Sequence, residues 1–116
     1  MRVSSKRINP TLAKQLNSSF AQLIADIRTL EEADEFLHDF FTESEYDTFM
    51  KRLAIAYYLK NERSYENIKT NIKVSSATIS SVSGMMIKKG FRNALLKVGV
   101  DQWAEEWAEK IKKIIK

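Results

Sequence analysis

A chain of 116 residues with three glycines and one proline is long enough for one folded domain and too poor in turn residues for a tightly turned sheet protein, which leaves helices with short connections. It has no cysteine, so it carries no disulfide framework and no thiolate metal site; no stretch nears the roughly 18 consecutive apolar residues of a membrane span, and no apolar signal core follows the basic start. The net charge of +4 is segregated: residues 31–47 hold eight acids and no Lys or Arg, and residues 51–100 hold ten Lys or Arg against Glu62 and Glu66, a distribution that offers polyanions a positive face.

Residues 1–9, with Arg2, Lys6 and Arg7, read as a basic arm ahead of one helical domain over residues 10–116. Asn9 caps a first helix and Pro10 opens it. Leu12, Leu16, Phe20, Leu23 and Ile27 recur at helical spacing, which carries that helix to about Arg28. Thr29 with Glu32 is a capping box for a second helix, whose apolar face is Ala33, Phe36, Leu37, Phe40 and Phe41. Thr42 with Glu45 is another, and opens a third helix with the stripe Tyr46, Phe49, Met50, Leu53, Ala54, Tyr57 and Tyr58, ending near Asn61. Asn61-Glu-Arg is a connector. Gly90 and Gly99 bracket the apolar stretch Phe91 to Val98. Asp101 caps a C-terminal amphipathic helix over about residues 101–115, in which Trp103, Trp107, Ile111 and Ile114 lie one turn apart.

The informative segment is the helix-turn-helix at about residues 64–88. Its apolar positions are Ile68, Ile72, Val74, Ile79 and Val82. Within one helix 68 and 72 share a face, as do 79 and 82, while the steps of 2 and 5 between them break helical phase. Two short helices joined by a tight turn need that break if both faces are to meet one core. Ser64 caps the first helix, and Ser75 or Ser76 the second. In such a motif the second helix enters the major groove of double-stranded DNA with its N-terminal residues toward the bases. Here these are Ser76, Ala77 and Ser80, all small, on the face opposite Ile79 and Val82. Lys69, Lys73, Lys88 and Lys89 flank the unit at positions suited to the phosphate backbone. Lys73 holds the turn position that glycine usually takes, where a left-handed L-residue costs roughly 1–2 kcal/mol.

The stretch Phe41 to Lys88 resembles the tryptophan repressor family. The likeness rests on the helix start from Thr42 to Arg52, on Ser64 with Ile-Lys-x-x-Ile over 68–72, and above all on Ser76-Ala-Thr-Ile-Ser80, which is similar to that family's recognition helix. The resemblance implies an all-α, six-helix subunit and an intertwined homodimer with two recognition helices in successive major grooves. It implies that Ser76, Ala77 and Ser80 face the operator, with Tyr65 and Lys69 nearby. In the repressor, tryptophan is held by two arginines between the recognition helix and the dimer core. Arg52 falls at the first arginine, Ser81 replaces the second, and Val82 replaces the glycine that leaves room for the indole. A serine cannot offer a carboxylate the planar charged fork of arginine. The expected pocket of Arg52, Ser81 and Val82 is therefore filled from within and independent of tryptophan.

Other chemistry is poorly supplied. His38 lies among Asp34, Glu35 and Asp39, a pattern that fits a solvated helix face better than a metal site. Nucleophilic catalysis lacks a cysteine and a second histidine, and there is no Gly-rich phosphate loop. Trp103 and Trp107 fit a core or dimer contact better than a base-stacking platform. The expectation is a cytoplasmic, non-enzymatic, homodimeric DNA-binding transcriptional regulator, a repressor, with no cofactor. The alternative is a helical dimerisation or protein-interaction module whose helix-turn-helix is only structural.

Overall fold

The computed structural model describes residues 6–98, and every element among them is a helix. The chain divides into two compact units, Met1–Glu43 and Ser44–Lys116. The C-terminal helix expected from Asp101 lies outside the described residues.

The first unit holds α1 (Pro10–Asp26) and α2 (Leu30–Phe40). The Asn9 side chain accepts from the backbone N–H of Thr11 at 2.8 Å and of Leu12 at 3.3 Å, and Pro10 loses nothing at a position where its N–H would have no helical partner. α1 ends two residues before Arg28, because Ile27 is already extended and hands the chain to the next cap. The Thr29 hydroxyl accepts from the Glu32 N–H at 3.1 Å, and Glu31 and Glu32 place negative charge at the positive end of the α2 dipole. His38, in the last turn, sets Nδ1 2.9 Å from the Asp34 carbonyl and 3.3 Å from its carboxylate. Phe40 stacks on Phe36 at 4.9 Å between ring centroids and meets Phe20 of α1 at 5.7 Å. The α1 stripe nevertheless stays open: Leu12, Leu16, Phe20, Leu23 and Ile24 are 42–51% exposed.

The second unit is built on α3 (Glu43–Lys60), which supplies Ile55 and Ala56 to its core. What the sequence presents as a plain connector is a specific cap. The Arg63 N–H donates to the Tyr58 carbonyl at 3.1 Å and the Glu62 N–H to the Leu59 carbonyl at 3.0 Å, with Glu62 left-handed at φ 60°. These paired bonds are a Schellman motif. Arg63 adds the contact that such motifs favour, its guanidinium lying 5.6 Å from the Tyr58 ring centroid.

α4 (Tyr65–Ile72) and α5 (Ser76–Met85) follow, capped by Ser64 and Ser75, whose hydroxyls accept from the Asn67 and Thr78 N–H groups at 3.1 and 3.2 Å. A sixth helix, α6, is described over residues 89–98. Gly90 lies inside its first turn rather than at a boundary, and a Cβ there would meet nothing. The core consists of Ile55 and Ala56 from α3, Ile68 from α4, Ile79 and Val82 from α5, and Leu95 from α6, with Ile72 and Val74 packed against it. The phase break in the sequence thus brings both short helices onto one apolar centre.

Lys73 takes φ 63°, ψ 55° at the end of α4, and its N–H donates to the Lys69 carbonyl at 3.0 Å. Glu62 and Lys73 are the non-glycine residues with positive φ among the described residues. Each substitution, Glu62→Gly and Lys73→Gly, is expected to raise stability by about 1 kcal/mol, since glycine enters the left-handed region without the Cβ penalty. Urea denaturation of the two variants checks this.

Candidate nucleic-acid interface

The two faces of α5 divide cleanly. Ile79 is fully buried and Val82 is 3% exposed, while Ser76, Ala77 and Ser80 on the opposite face are exposed. The Ser75 cap occupies the Thr78 N–H, and the two hydroxyls meet at 3.0 Å. The remaining N–H groups of the first turn have no intrahelical acceptor, which makes this end of α5 attractive to phosphate.

α4 is tied to that face. The Tyr65 hydroxyl lies 3.5 Å from Ser80 Oγ, an interhelical contact between two exposed residues. Lys69 is one turn further along the same face of α4, and Lys73 follows at its cap. Tyr65 thus meets the exposed side of α5 at Ser80, while Lys69 and Lys73 are exposed on α4 and at the turn that leads into α5. Lys88 and Lys89, both exposed, lie in the turn after α5 and at the first residue of α6. They belong to the other end of α5, about 15 Å along its axis at 1.5 Å per residue.

Arg52, Ser81 and Val82 line one groove of about 490 Å³ between α3 and α5. Val82 is part of its floor, with Ile55, so its side chain is spent on the core; the groove above it stays open, and the pocket is not filled from within as the sequence suggests. Arg52 is half-buried and lies 5.5 Å from the Phe49 ring centroid, with no carboxylate partner among the described residues. Thr48, Lys51 and Thr78 also line the groove and were not singled out from the sequence. Lys51 pairs with Asp47 at 3.4 Å. The signal for Thr48 and Lys51 was present, because Thr48, Lys51, Arg52 and Ile55 repeat at the spacing of one helix face.

Among the described residues no helix is long and apolar enough to cross a membrane, and no group of three or more His, Asp or Glu side chains is placed to hold a metal ion.

An all-helical chain whose α4 and α5 turn through a left-handed residue onto a common core, with a small polar face outward, has the form of a helix-turn-helix protein. The family model described as Trp repressor protein matches residues 14–98, and the chain belongs to that family of DNA-binding regulators. The match extends well beyond both ends of the stretch from Phe41 to Lys88 that carries the resemblance. The chain is also similar to the uncharacterized protein YerC of Bacillus subtilis (strain 168), with 27% identity over 107 residues, covering 92% of this chain and 99% of that protein. No solved structure matches.

Proposed function

We propose that the protein is a homodimeric, sequence-specific repressor of transcription, acting in the cytoplasm and without tryptophan as a co-repressor. The observation that carries the reading is the exposed face of Ser76, Ala77 and Ser80, held by the buried Ile79 and Val82 behind it and joined by Tyr65 from α4. Small side chains let a helix approach the groove floor, and Lys69 and Lys73 stand beside it for phosphate. Lys88 and Lys89 are assigned to the backbone at the far end of the same helix. A lysine at a strained left-handed position fits a functional role for Lys73.

The exposed stripe of α1 supports the dimer. Five large apolar side chains left nearly half-exposed form an apolar face larger than a monomer usually presents to water. A second copy would cover it and complete one folded domain from two chains. Light scattering at micromolar concentration is expected to give the mass of two chains; the mass of one removes the paired recognition helices.

Binding-site selection with the purified full chain tests DNA recognition. Affinity for the selected site is expected to fall steeply with salt. Lys69→Ala and Lys73→Gly should each reduce the slope of log affinity against log salt by about 0.9, the contribution of one phosphate contact. Glu62→Gly, in the connector between α3 and α4 and not assigned to phosphate, should leave the slope unchanged. A dimer that selects no DNA even at low salt would instead be a helical interaction module with a structural helix-turn-helix.

A further inference from the structure

Residues 67–100 contain Lys69, Lys73, Lys88, Lys89, Arg92 and Lys97 and no Asp or Glu. Three of these cations fall on α6. Phe91 and Leu95 turn that helix toward the core, Leu95 being 4% exposed, whereas Lys89, Arg92, Asn93, Leu96 and Lys97 are exposed. Steps of three and four residues place these five on one face, turned away from Phe91 and Leu95. We propose that this face of α6 is a second DNA contact, in which Lys89, Arg92 and Lys97 hold the phosphate backbone beyond the bases read by α5. The inference rests on the DNA-binding reading above and carries the contact surface outside the helix-turn-helix.

The charge on this face is not balanced within the described residues, where no ion pair involves Lys89, Arg92 or Lys97. Lys89 and Arg92 also lie in the first turn of α6, where the helix dipole disfavours cations. α2, by contrast, begins with Glu31 and Glu32. An external anion relieves both the mutual repulsion and the conflict with the dipole. Placement favours the anion already bound by α5. Residues 86–88 alone separate the two helices, so the cationic face begins where α5 ends, beside Lys88. From Lys89 to Lys97 it rises about 12 Å, at 1.5 Å per residue. That is enough to follow several phosphates of one strand, which succeed one another about every 3.4 Å along the duplex axis. The Asn93 amide can donate to phosphate or sugar oxygens in the same row. The face suits a duplex better than a lipid surface. A helix that lies in a membrane interface needs a broad apolar side turned outward. α6 spends Phe91 and Leu95 on the core, and Leu96, 59% exposed, is the large apolar side chain left among the cations.

The test uses the full chain and two duplexes carrying the site obtained by binding-site selection. One is trimmed to the selected bases, and the other is extended at both ends by a helical turn of arbitrary sequence. The unmodified protein is expected to bind the extended duplex more tightly and with a steeper dependence on salt. The double variant Arg92→Gln, Lys97→Gln should lose that gain, its slope of log affinity against log salt falling by about 0.9 for each side chain removed. It should still select the same bases. Both positions are exposed, so helical circular dichroism and the melting temperature should not fall. Arg92→Lys, which keeps the charge, should keep the slope. If the unmodified protein gains nothing from the added flanks, or the folded double variant keeps the full slope, α6 is not a DNA contact, and the reading of α5 stands without it. Binding to phosphatidylserine vesicles that the double variant loses, with its DNA slope unaltered, also overturns the proposal and assigns the face to a lipid surface. If no duplex is selected even at low salt, the DNA-binding reading falls and the inference falls with it.

Discussion

Ile79→Ala is expected to cost about 2–5 kcal/mol of stability. Ile79 is fully buried among Ile55, Ala56, Ile68, Val82 and Leu95, so truncation removes apolar contacts with three other helices, α3, α4 and α6, and leaves a cavity in their shared core. Domains of this size are typically stable by about 5–15 kcal/mol, so the loss is a large share of the whole. DNA binding should fall with it, because Ile79 and Val82 are the buried residues that hold α5 to the unit, while its outer face is small, polar and exposed. Urea denaturation at fixed protein concentration measures the change, the fixed concentration being needed because a dimer's stability depends on it. Ser80→Ala is the informative contrast. It sits one residue away on the exposed face, so it should alter stability by no more than about 0.5 kcal/mol while weakening discrimination between DNA sites. If Ile79→Ala left stability unchanged, the shared core of the two short helices would be wrong.

L-Tryptophan at millimolar concentration is expected neither to bind nor to change DNA affinity. The groove between α3 and α5 contains one half of what a tryptophan carboxylate and ring require. Arg52 is present, without a carboxylate partner among the described residues. Facing it on α5 are the Ser81 hydroxyl, which lacks the charge and fork of a guanidinium, and Val82, whose branched side chain is built into the floor. With Val82 anchoring α5 directly, the helix proposed for recognition would need no ligand to fix it. DNA binding would then be constitutive or governed by another signal. The double substitution Ser81→Arg, Val82→Gly rebuilds both features of the tryptophan-binding relatives. It should be less stable by a few kcal/mol, since it removes a buried branched side chain and adds a glycine to a helix interior. Calorimetry on the unmodified protein and on the double variant, with gel shifts in the presence and absence of tryptophan, reads out both parts. Micromolar binding by the unmodified chain would overturn the argument and make Arg52 a true ligand.

The sequence by itself determined the features that depend on neighbours three or four residues away. The Asn9, Thr29, Ser64 and Ser75 caps are bonds from a side chain to a backbone N–H two or three residues on, so their signal is complete within a few positions. The break in helical phase between Ile72 and Ile79 is equally local, and it forces the turn at Lys73. Tertiary structure alone decided which apolar residues close the core and which polar ones share a groove. Leu95 is 4% exposed while Leu96, its neighbour of the same kind, is 59% exposed; only the packing of α6 against the other helices separates them. Thr48, Lys51 and Thr78 join Arg52 and Ser81 because α3 and α5 lie side by side, and the Schellman cap at Glu62 exists because Arg63 returns over Tyr58. Such pairings depend on helix crossing geometry and on the direction in which each turn leaves its helix, which periodicity along a single element does not encode.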